Sequence, residues 1–258
     1  MPILFSRNLK YSISIFFLLS VSPVYSQSPS LIEISQDTFP SLVSISVENT
    51  GLLKSTQAHA AIDKKTGRMV IARSLRGASY SRLGAGVIIH PTGIIVTNAH
   101  TVNGASRIKA TLYNQTTLPA ELIWLSLEND VALLAVKPAL PLQPIPIADS
   151  NAVHLGDEVI VIGNSETLKQ SILAGKIIGI GTNRLGQEEN LNNIDLLQTD
   201  INIYKGDSGS ALLNKNGELI GLMTAGQVKT DHSSFAVPSN IIKQNYVQFS
   251  SQFKENGK

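Results

Sequence analysis

Residues 203–210 have the sequence Ile203-Tyr204-Lys205-Gly206-Asp207-Ser208-Gly209-Ser210. One serine lies here between two glycines, and apolar residues typical of strands flank the segment at residues 194–199 and 211–213. Glycine permits a sharp bend and lets another group approach the backbone closely. Such a bend can direct two backbone N–H groups at one oxyanion. The segment therefore fits a nucleophilic serine, and an ordinary hairpin turn is the alternative.

Short apolar segments separated by turn residues continue on both sides of this bend. Strands are predicted at residues 42–48, 69–72, 84–89, 94–98, 108–113, 118–125, 131–136, 158–163, 211–213, 219–222 and 234–237. Residues 171–180 are expected to form a pair of strands, and residues 191–199 form a further strand region. Many short strands at regular spacing are typical of barrels and sandwiches.

A proline-rich connector containing Pro138, Pro141, Pro144 and Pro146 divides the strands into two halves. We interpret it as a linker between two antiparallel β-barrels, roughly residues 33–137 and 150–238. A helix over residues 239–253 follows, because the apolar side chains of its sequence share one helical face: Ile242, Tyr246, Phe249 and Phe253.

Residues 52–82 form the longest connection of the first half, and their charged residues are mostly basic. Asp63 is their one acidic residue, against Lys54, Lys64, Lys65, Arg68, Arg73, Arg76 and Arg82. Connections of this length are unusual unless they are functional or mobile. We expect a mobile solvated loop, and a docking surface is the alternative.

The composition of the 258 residues is that of a globular protein, with 16% charged residues. The absence of cysteine excludes disulfides, thiolate metal sites, a cysteine nucleophile and lipoprotein attachment. The five histidines lack the i, i+4 spacing of a metal site. No metal and no organic cofactor is therefore expected.

The first 26 residues are typical of a secretory signal peptide. Arg7 and Lys10 precede an apolar segment at residues 11–22, and Ser26 ends a site suited to cleavage before Gln27. An uncleaved membrane anchor is the alternative, although the apolar segment is short for a span. Without Arg7 and Lys10 the mature chain, residues 27–258, is formally neutral, so neither nucleic acid nor an anionic membrane is an expected partner.

A serine nucleophile requires a base, and the base requires an orienting carboxylate. His100 follows the apolar strand that ends at Asn98, and Asp130 directly precedes the strand at residues 131–136. Both residues lie where strands give way to loops, which is where sites are usually built. Taken singly, a structural histidine and a turn aspartate are the alternatives.

Several motifs follow one another along the chain. The histidine motif spans residues 84–89 and 93–100, the aspartate motif spans 130–134, and the serine motif spans 198–209 with 217–221. Residues 155–164 resemble the opening of a second barrel, and residues 235–239 resemble a closing strand and helix. In this order they resemble the HtrA family of chymotrypsin-like serine proteases. The resemblance covers roughly residues 33–250. It implies a fold of two antiparallel β-barrels with a C-terminal helix and a site in the cleft between the barrels.

The resemblance also implies roles for individual residues. Ser208 would attack the scissile carbonyl, His100 would accept and return the proton, and Asp130 would orient His100. The backbone N–H groups of Gly206 and Ser208 would form the oxyanion hole. The specificity pocket would be bordered by uncharged residues, which predicts a preference for small or medium aliphatic side chains: Asn202, Ile203, Thr224, Ala225 and Gly226.

The sequence departs from the family pattern beside the serine. Asp207 stands where the family usually has asparagine, and Ser210-Ala211 replaces Gly-Pro. A buried Asp207 would need a partner, and a newly formed N-terminus or Arg82 are candidates. Ser210 resembles the staphylococcal glutamyl endopeptidases, but Met223 stands where those enzymes have histidine, which argues against glutamate specificity.

The resemblance predicts an exported protein, periplasmic or secreted, that acts on unfolded or extended polypeptides. The family's PDZ domain is not expected, because the sequence ends soon after the closing helix, and assembly into a trimer is left open. Two alternatives to an active endopeptidase are considered: the complete triad argues against the first, and Asp207 with the long basic segment at residues 52–82 motivates the second. One is a catalytically silent fold used for binding, and the other is a latent protease whose oxyanion loop forms only after a trigger.

Overall fold

The computed structural model describes residues 29–49, 58–62, 69–73, 80–163, 171–182, 194–204, 206–226 and 233–256. The expected signal peptide lies outside these residues. The described helices are α1 (Leu31–Thr38), α2 (Ala99–Val102) and α3 (Ser239–Asn256). The described strands are β1 (Leu42–Asn49), β2 (Ala58–Ile62), β3 (Met69–Arg73), β4 (Tyr80–His90), β5 (Ile94–Thr97), β6 (Arg107–Thr111), β7 (Thr117–Ser126), β8 (Val131–Ala135), β9 (Glu158–Gly163), β10 (Ser171–Thr182), β11 (Asp195–Thr199), β12 (Ala211–Asn214), β13 (Leu219–Gly226) and β14 (Ser234–Pro238).

The first half of the chain forms a closed antiparallel barrel with the strand order β1-β4-β5-β8-β7-β6. Strand β1 illustrates how the sequence produces it. Val43, Ile45 and Val47 are fully buried, whereas Ser44 and Ser46 between them are half-buried. The period-two alternation thus places one face of the strand in the barrel core, as predicted.

The second half forms another closed antiparallel barrel, in the order β10-β11-β14-β13-β12-β9. Its interior is filled by aliphatic side chains such as Val161, Leu212 and Met223. A separate apolar cluster joins the two barrels, with Val87 and Leu133 from the first, Leu222 from the second and Ile242 from helix α3. The predicted all-β double barrel with a C-terminal helix is confirmed.

One strand prediction is wrong, because residues 171–182 form a single long strand and not a pair. The first half of β10 pairs with β9, from Ser171 to Lys176, and its second half pairs with β11. A bulge between Ile177 and Gly179 lies at this change of partner. The sequence of this region therefore forms a bend within one strand and not a turn between two strands.

Two elements were missed by the sequence patterns. Residues 58–62 form strand β2, which pairs with β3 in a two-stranded sheet inside the basic segment 52–82. Residues 31–38 form helix α1, where only a lead-in to β1 was expected. Ser30 begins this helix with a capping box, in which its hydroxyl accepts from the amide of Glu33 and the Glu33 carboxylate accepts from Ser30.

The proline-rich connector is hydrogen-bonded to both barrels. The amides of Leu142 and Ile145 donate to the carbonyls of Pro91 and Ile88 in the first barrel, each at 2.9 Å. Further along, the carbonyl of Pro146 accepts from the amide of Leu219 in the second barrel at 2.8 Å. The connector therefore fixes the two barrels against each other over its whole length.

Helix α3 packs against the side of the barrels. Ile242 is fully buried, and Asn245 accepts a hydrogen bond from the indole of Trp124 in β7 at 2.8 Å. Helix α3 also contacts β13 and β14. It therefore contacts strands of both barrels. Among the described residues, no helix is both long and apolar enough to cross a membrane.

Candidate active site

His100 and Asp130 lie at the same edge of the first barrel. Strands β5 and β8 are antiparallel neighbours, with Thr97 opposite Ala132. His100 follows the end of β5 on the short helix α2, and Asp130 directly precedes β8. The strand pairing that closes the barrel therefore also brings these two side chains together.

The His100 imidazole contacts both oxygens of the Asp130 carboxylate. Nδ1 lies 2.9 Å from Oδ2 and 3.0 Å from Oδ1, and the His100 amide donates to Oδ1 at 2.9 Å. An ionised carboxylate can only accept hydrogen bonds, so Nδ1 carries the proton that it shares with Asp130. In the neutral ring, Nε2 is then left as an acceptor, and the His100 side chain is 37% exposed.

Asp130 is held by residues from both barrels. It is 3% exposed, and its Oδ2 accepts a short hydrogen bond from the hydroxyl of Thr224 in β13. Its carbonyl accepts from the side-chain amide of Asn98 at 3.3 Å. Its φ of 50° lies in the left-handed region, which a non-glycine residue adopts only when its surroundings support it. The buried carboxylate thus has three donors, as buried charge requires.

The Ser208 loop is a tight turn in the second barrel. Asp207 N donates to Tyr204 O at 2.9 Å across this turn, and Gly206 has a φ of 106°. Gly209 N donates to Met223 O at 2.8 Å, which attaches the loop to β13. Among the described residues, no oxygen accepts from the amides of Gly206 and Ser208. These are the two amides expected to bind an oxyanion.

The Ser208 loop is also bound to the first barrel. Ala85 N donates to Ser208 O at 2.7 Å, and the hydroxyl of Thr97 donates to Ala85 O at 2.7 Å. A Cβ atom on Gly209 would lie 1.9 Å from Ala85 O, and Gly209 has a φ of 88°. Only glycine fits at this position, which explains why the motif requires it. The serine loop is therefore positioned by contacts with both barrels.

The Ser208 hydroxyl donates to the carbonyl of Thr224 at 3.3 Å. This hydrogen bond links the serine side chain to β13. Beside it, Asp207 is 5% exposed, and its Oδ2 accepts from the amide of Tyr204 at 2.8 Å. The other oxygen, Oδ1, has no hydrogen-bond partner among the described residues. Asp207 is thus buried, and one of its two carboxylate oxygens has no partner within the part of the chain that the structure describes.

The residues expected around the specificity pocket have different environments. Asn202 is exposed, whereas Ile203 is half-buried and packs against the core of the second barrel. The side chain of Thr224 contacts Asp130, so this residue meets the site through its hydroxyl as well as through its carbonyl. The surroundings of the Ala225 side chain and of Gly226 lie outside the described part of the structure.

Three residues were not assigned these contacts from the sequence. Asn98 binds the Asp130 carbonyl, and Thr224 binds its carboxylate. Arg82, a candidate partner for Asp207, donates to the carbonyls of His100 and Asn103. Asn98 stands next to the histidine motif, which is a local signal. The Thr224 and Arg82 contacts join segments 94 and 18 residues apart and leave no local pattern.

Comparison with known proteins places this site in a family. The model of the trypsin-like peptidase domain matches residues 84–222, which include His100, Asp130 and Ser208. The periplasmic pH-dependent serine endoprotease DegQ of Escherichia coli is 34% identical over 219 residues, covering 83% of this chain and 47% of the relative. The serine endoprotease DegS of Haemophilus influenzae is 37% identical over 166 residues, covering 62% of this chain and 48% of the relative.

Solved structures give the same result. The HtrA-type protease AlgW with a decapeptide superposes with a TM-score of 0.67 at 26% identity, covering 88% of this chain and 68% of that one. The chain spans about half the length of these two curated relatives. Together, the matched domain and the double barrel establish that the chain belongs to the family of trypsin-like peptidases, among which its relatives are HtrA-type serine proteases.

Proposed function

We propose that this protein is a serine endopeptidase in which Ser208, His100 and Asp130 act as a catalytic triad. The observation that carries the proposal is the contact of Nδ1 of His100 with both oxygens of the buried Asp130 carboxylate. That contact leaves Nε2 as the basic atom of the neutral ring. The names of the relatives, which describe serine endoproteases, support the same activity.

In the proposed reaction, rotation about the Cα–Cβ bond moves the Ser208 hydroxyl from Thr224 O toward Nε2 of His100. Ser208 Oγ attacks the scissile carbonyl carbon while its proton passes to Nε2. The tetrahedral adduct then breaks its C–N bond, and His100 returns the proton to the leaving amine. Water repeats both proton transfers to hydrolyse the acyl-enzyme and regenerate Ser208.

The oxyanion of each adduct would accept hydrogen bonds from the amides of Gly206 and Ser208, which the described backbone leaves unused. Removing one such donor typically costs about 2.7–4 kcal/mol of transition-state stabilisation. Asp130 would keep the proton on Nδ1 and stabilise the imidazolium. Loss of this orienting contact typically lowers turnover by about 10⁴.

We propose that the substrates are extended or unfolded polypeptides, bound by addition of a strand to an exposed sheet edge. The pocket residues Asn202, Ile203, Thr224, Ala225 and Gly226 are uncharged. They favour a small or medium aliphatic side chain at the cleavage site, as measured with a peptide library of varied cleavage-site residues. A cleavage profile dominated by lysine, arginine or glutamate would contradict this preference. The relative DegQ is named periplasmic, which supports export of this protein as well.

The direct test of the activity is labelling with a fluorophosphonate probe, which reacts with an activated serine. We expect the chain from Gln27 onward to be labelled and its Ser208→Ala variant to remain unlabelled. Labelling that persists in the variant would mean that another nucleophile reacts. An unlabelled native protein would contradict the constitutively active form of the proposal.

A latent protease is the second candidate, and two observations favour it. The Ser208 hydroxyl is directed at Thr224 O, and Oδ1 of the buried Asp207 lacks a hydrogen-bond partner among the described residues. In the latent form, the productive rotamer would arise only after a trigger. An unlabelled protein that becomes labelled on addition of unfolded casein, or after trimming of its N-terminus, would support latency. No labelling under either condition would favour a binding protein.

A further inference from the structure

The helix that carries His100 cannot stabilise itself. Helix α2 comprises only Ala99–Val102, and its N-cap residue Asn98 makes no side-chain capping bond. The amide of Asn103 donates to the carbonyl of Ala99 at 2.8 Å, but a helix of one turn leaves its later carbonyl groups without intrahelical partners, and its formation is unfavourable unless other groups hold it. The orientation of the His100 backbone must therefore be fixed from outside the helix.

Arg82 supplies two donors at the C-terminal end of this helix. Its Nη1 donates to the carbonyl of His100 at 2.7 Å, and its Nη2 donates to the carbonyl of Asn103 at 2.5 Å. The planar guanidinium presents these donors in a fixed geometry, unlike the flexible ammonium of lysine. A cation at this end also interacts favourably with the carbonyl dipoles of the turn.

Both peptide groups next to the Cα atom of His100 are thereby held. The N–H group on one side donates to Oδ1 of Asp130, and the C=O group on the other accepts from Arg82. With its backbone fixed at two points, His100 retains only its side-chain torsions. The imidazole contact with Asp130 restricts these in turn.

Arg82 belongs to the strand that also holds the serine loop. It lies in β4 opposite Val47 of β1, three residues before Ala85, whose amide donates to Ser208 O. Three residues along a strand span about 10 Å. One short segment of β4 thus contacts the backbone of the proposed base and the backbone of the proposed nucleophile.

We infer that Arg82 is a positioning residue, which holds the His100 carbonyl and so fixes where Nε2 lies for the proposed proton transfer from Ser208. This inference rests on the proposed peptidase function, since Arg82 itself touches no reacting atom. Its loss would allow α2 to shift without removing any group of the triad. A misplacement of about 1 Å can lower a rate by about 10².

The experiment compares Arg82→Met and Arg82→Lys with a matched control, Arg107→Met. Arg107 is an exposed residue of β6 in the same barrel, so its substitution removes the same charge away from α2. We expect Arg82→Met to lower kcat by about 10- to 100-fold with KM changed by less than about twofold. Arg82→Lys should recover part of kcat, because the ammonium can reach one carbonyl, and Arg107→Met should behave as the native protein.

A second readout does not depend on activity. The proton on Nδ1 of His100 should give a low-field NMR resonance, which we expect to shift or broaden in Arg82→Met and to stay unchanged in Arg107→Met. If native kcat and native resonance both persist in Arg82→Met, Arg82 does not position His100. If the native protein is inactive, the resonance alone decides the inference, while the absence of probe labelling decides the proposed function.

Discussion

Three donors meet at the carboxylate of Asp130, two from His100 and one from Thr224. His100 donates through Nδ1 and its amide, and Thr224 donates through its hydroxyl from the other barrel. Hydrogen bonds to an ionised group are worth about 1.5–3 kcal/mol each, more than neutral ones. Thr224 therefore stabilises the charge that orients His100 and, through its carbonyl, also receives the Ser208 hydroxyl.

Replacement of Thr224 by valine should separate these two functions, because valine keeps the shape and the carbonyl but removes the hydroxyl. We expect the variant Thr224→Val to lose about 1–3 kcal/mol in its free energy of unfolding and to lose roughly tenfold in kcat. Chemical denaturation and steady-state kinetics measure the two effects. Thr224→Ser restores the donor and serves as the control, so equal kcat values in both variants would contradict this role.

At the residue scale, the sequence motifs identified His100 and Asp130, which the structure places in contact. Their neighbours carry a recognisable order of small and apolar residues, so motif and geometry coincide. The hydroxyl of Thr224 and the guanidinium of Arg82 could not be assigned from sequence. Their partners lie across a barrel interface or on another strand, and side-chain direction at such distances is set by packing.

Helix α3 depends on one buried polar contact. Asn245 is 1% exposed, accepts from the indole of Trp124 at 2.8 Å and donates to Ile241 O at 2.9 Å. An unpaired buried donor costs the free energy of its lost hydration. The contact therefore determines where the helix sits on the first barrel.

Asn245→Ala should leave the indole N–H of Trp124 without its partner. We expect the variant to lose about 1–3 kcal/mol of stability, seen as a Tm lowered by several degrees in calorimetry. Gln244→Ala, at an exposed position of the same helix, is the matched control and should retain the native Tm. A native Tm in Asn245→Ala would show that the contact is not stabilising.

Strands and helices were predicted correctly where the hydrophobic periodicity and the positions of turn residues indicated the same element. Strand β1 has one buried face and strand β9 is buried on both faces, and each strand follows the corresponding sequence pattern closely. Helix α1 was missed, although Ser30 and Glu33 have the spacing of a capping box, and hydrogen bonds from Ser30 lower the pKa of Glu33. Strand β10 was misread as two strands because a bulge and glycines resemble a turn in sequence.

The whole molecule is two barrels whose contact completes the candidate site. The double-barrel fold could be predicted, since strand count, the proline-rich connector and the order of motifs all agree. The seam between the barrels could not, because the bond from Ala85 to Ser208 depends on a close approach of two backbones. The sequence indicates this contact only through glycine, at positions such as Gly209 where a Cβ atom would collide with the other barrel.

Because the candidate site is divided between the two barrels, it cannot form before both barrels have folded. Neither half contains both the proposed base and the proposed nucleophile, and the hydrogen bond from Ala85 to Ser208 forms only after the halves have docked. A chain with one barrel complete and the other unfolded therefore lacks the proposed centre. Proteolytic competence would then arise only once both barrels have folded and docked, which would spare neighbouring unfolded chains from premature cleavage.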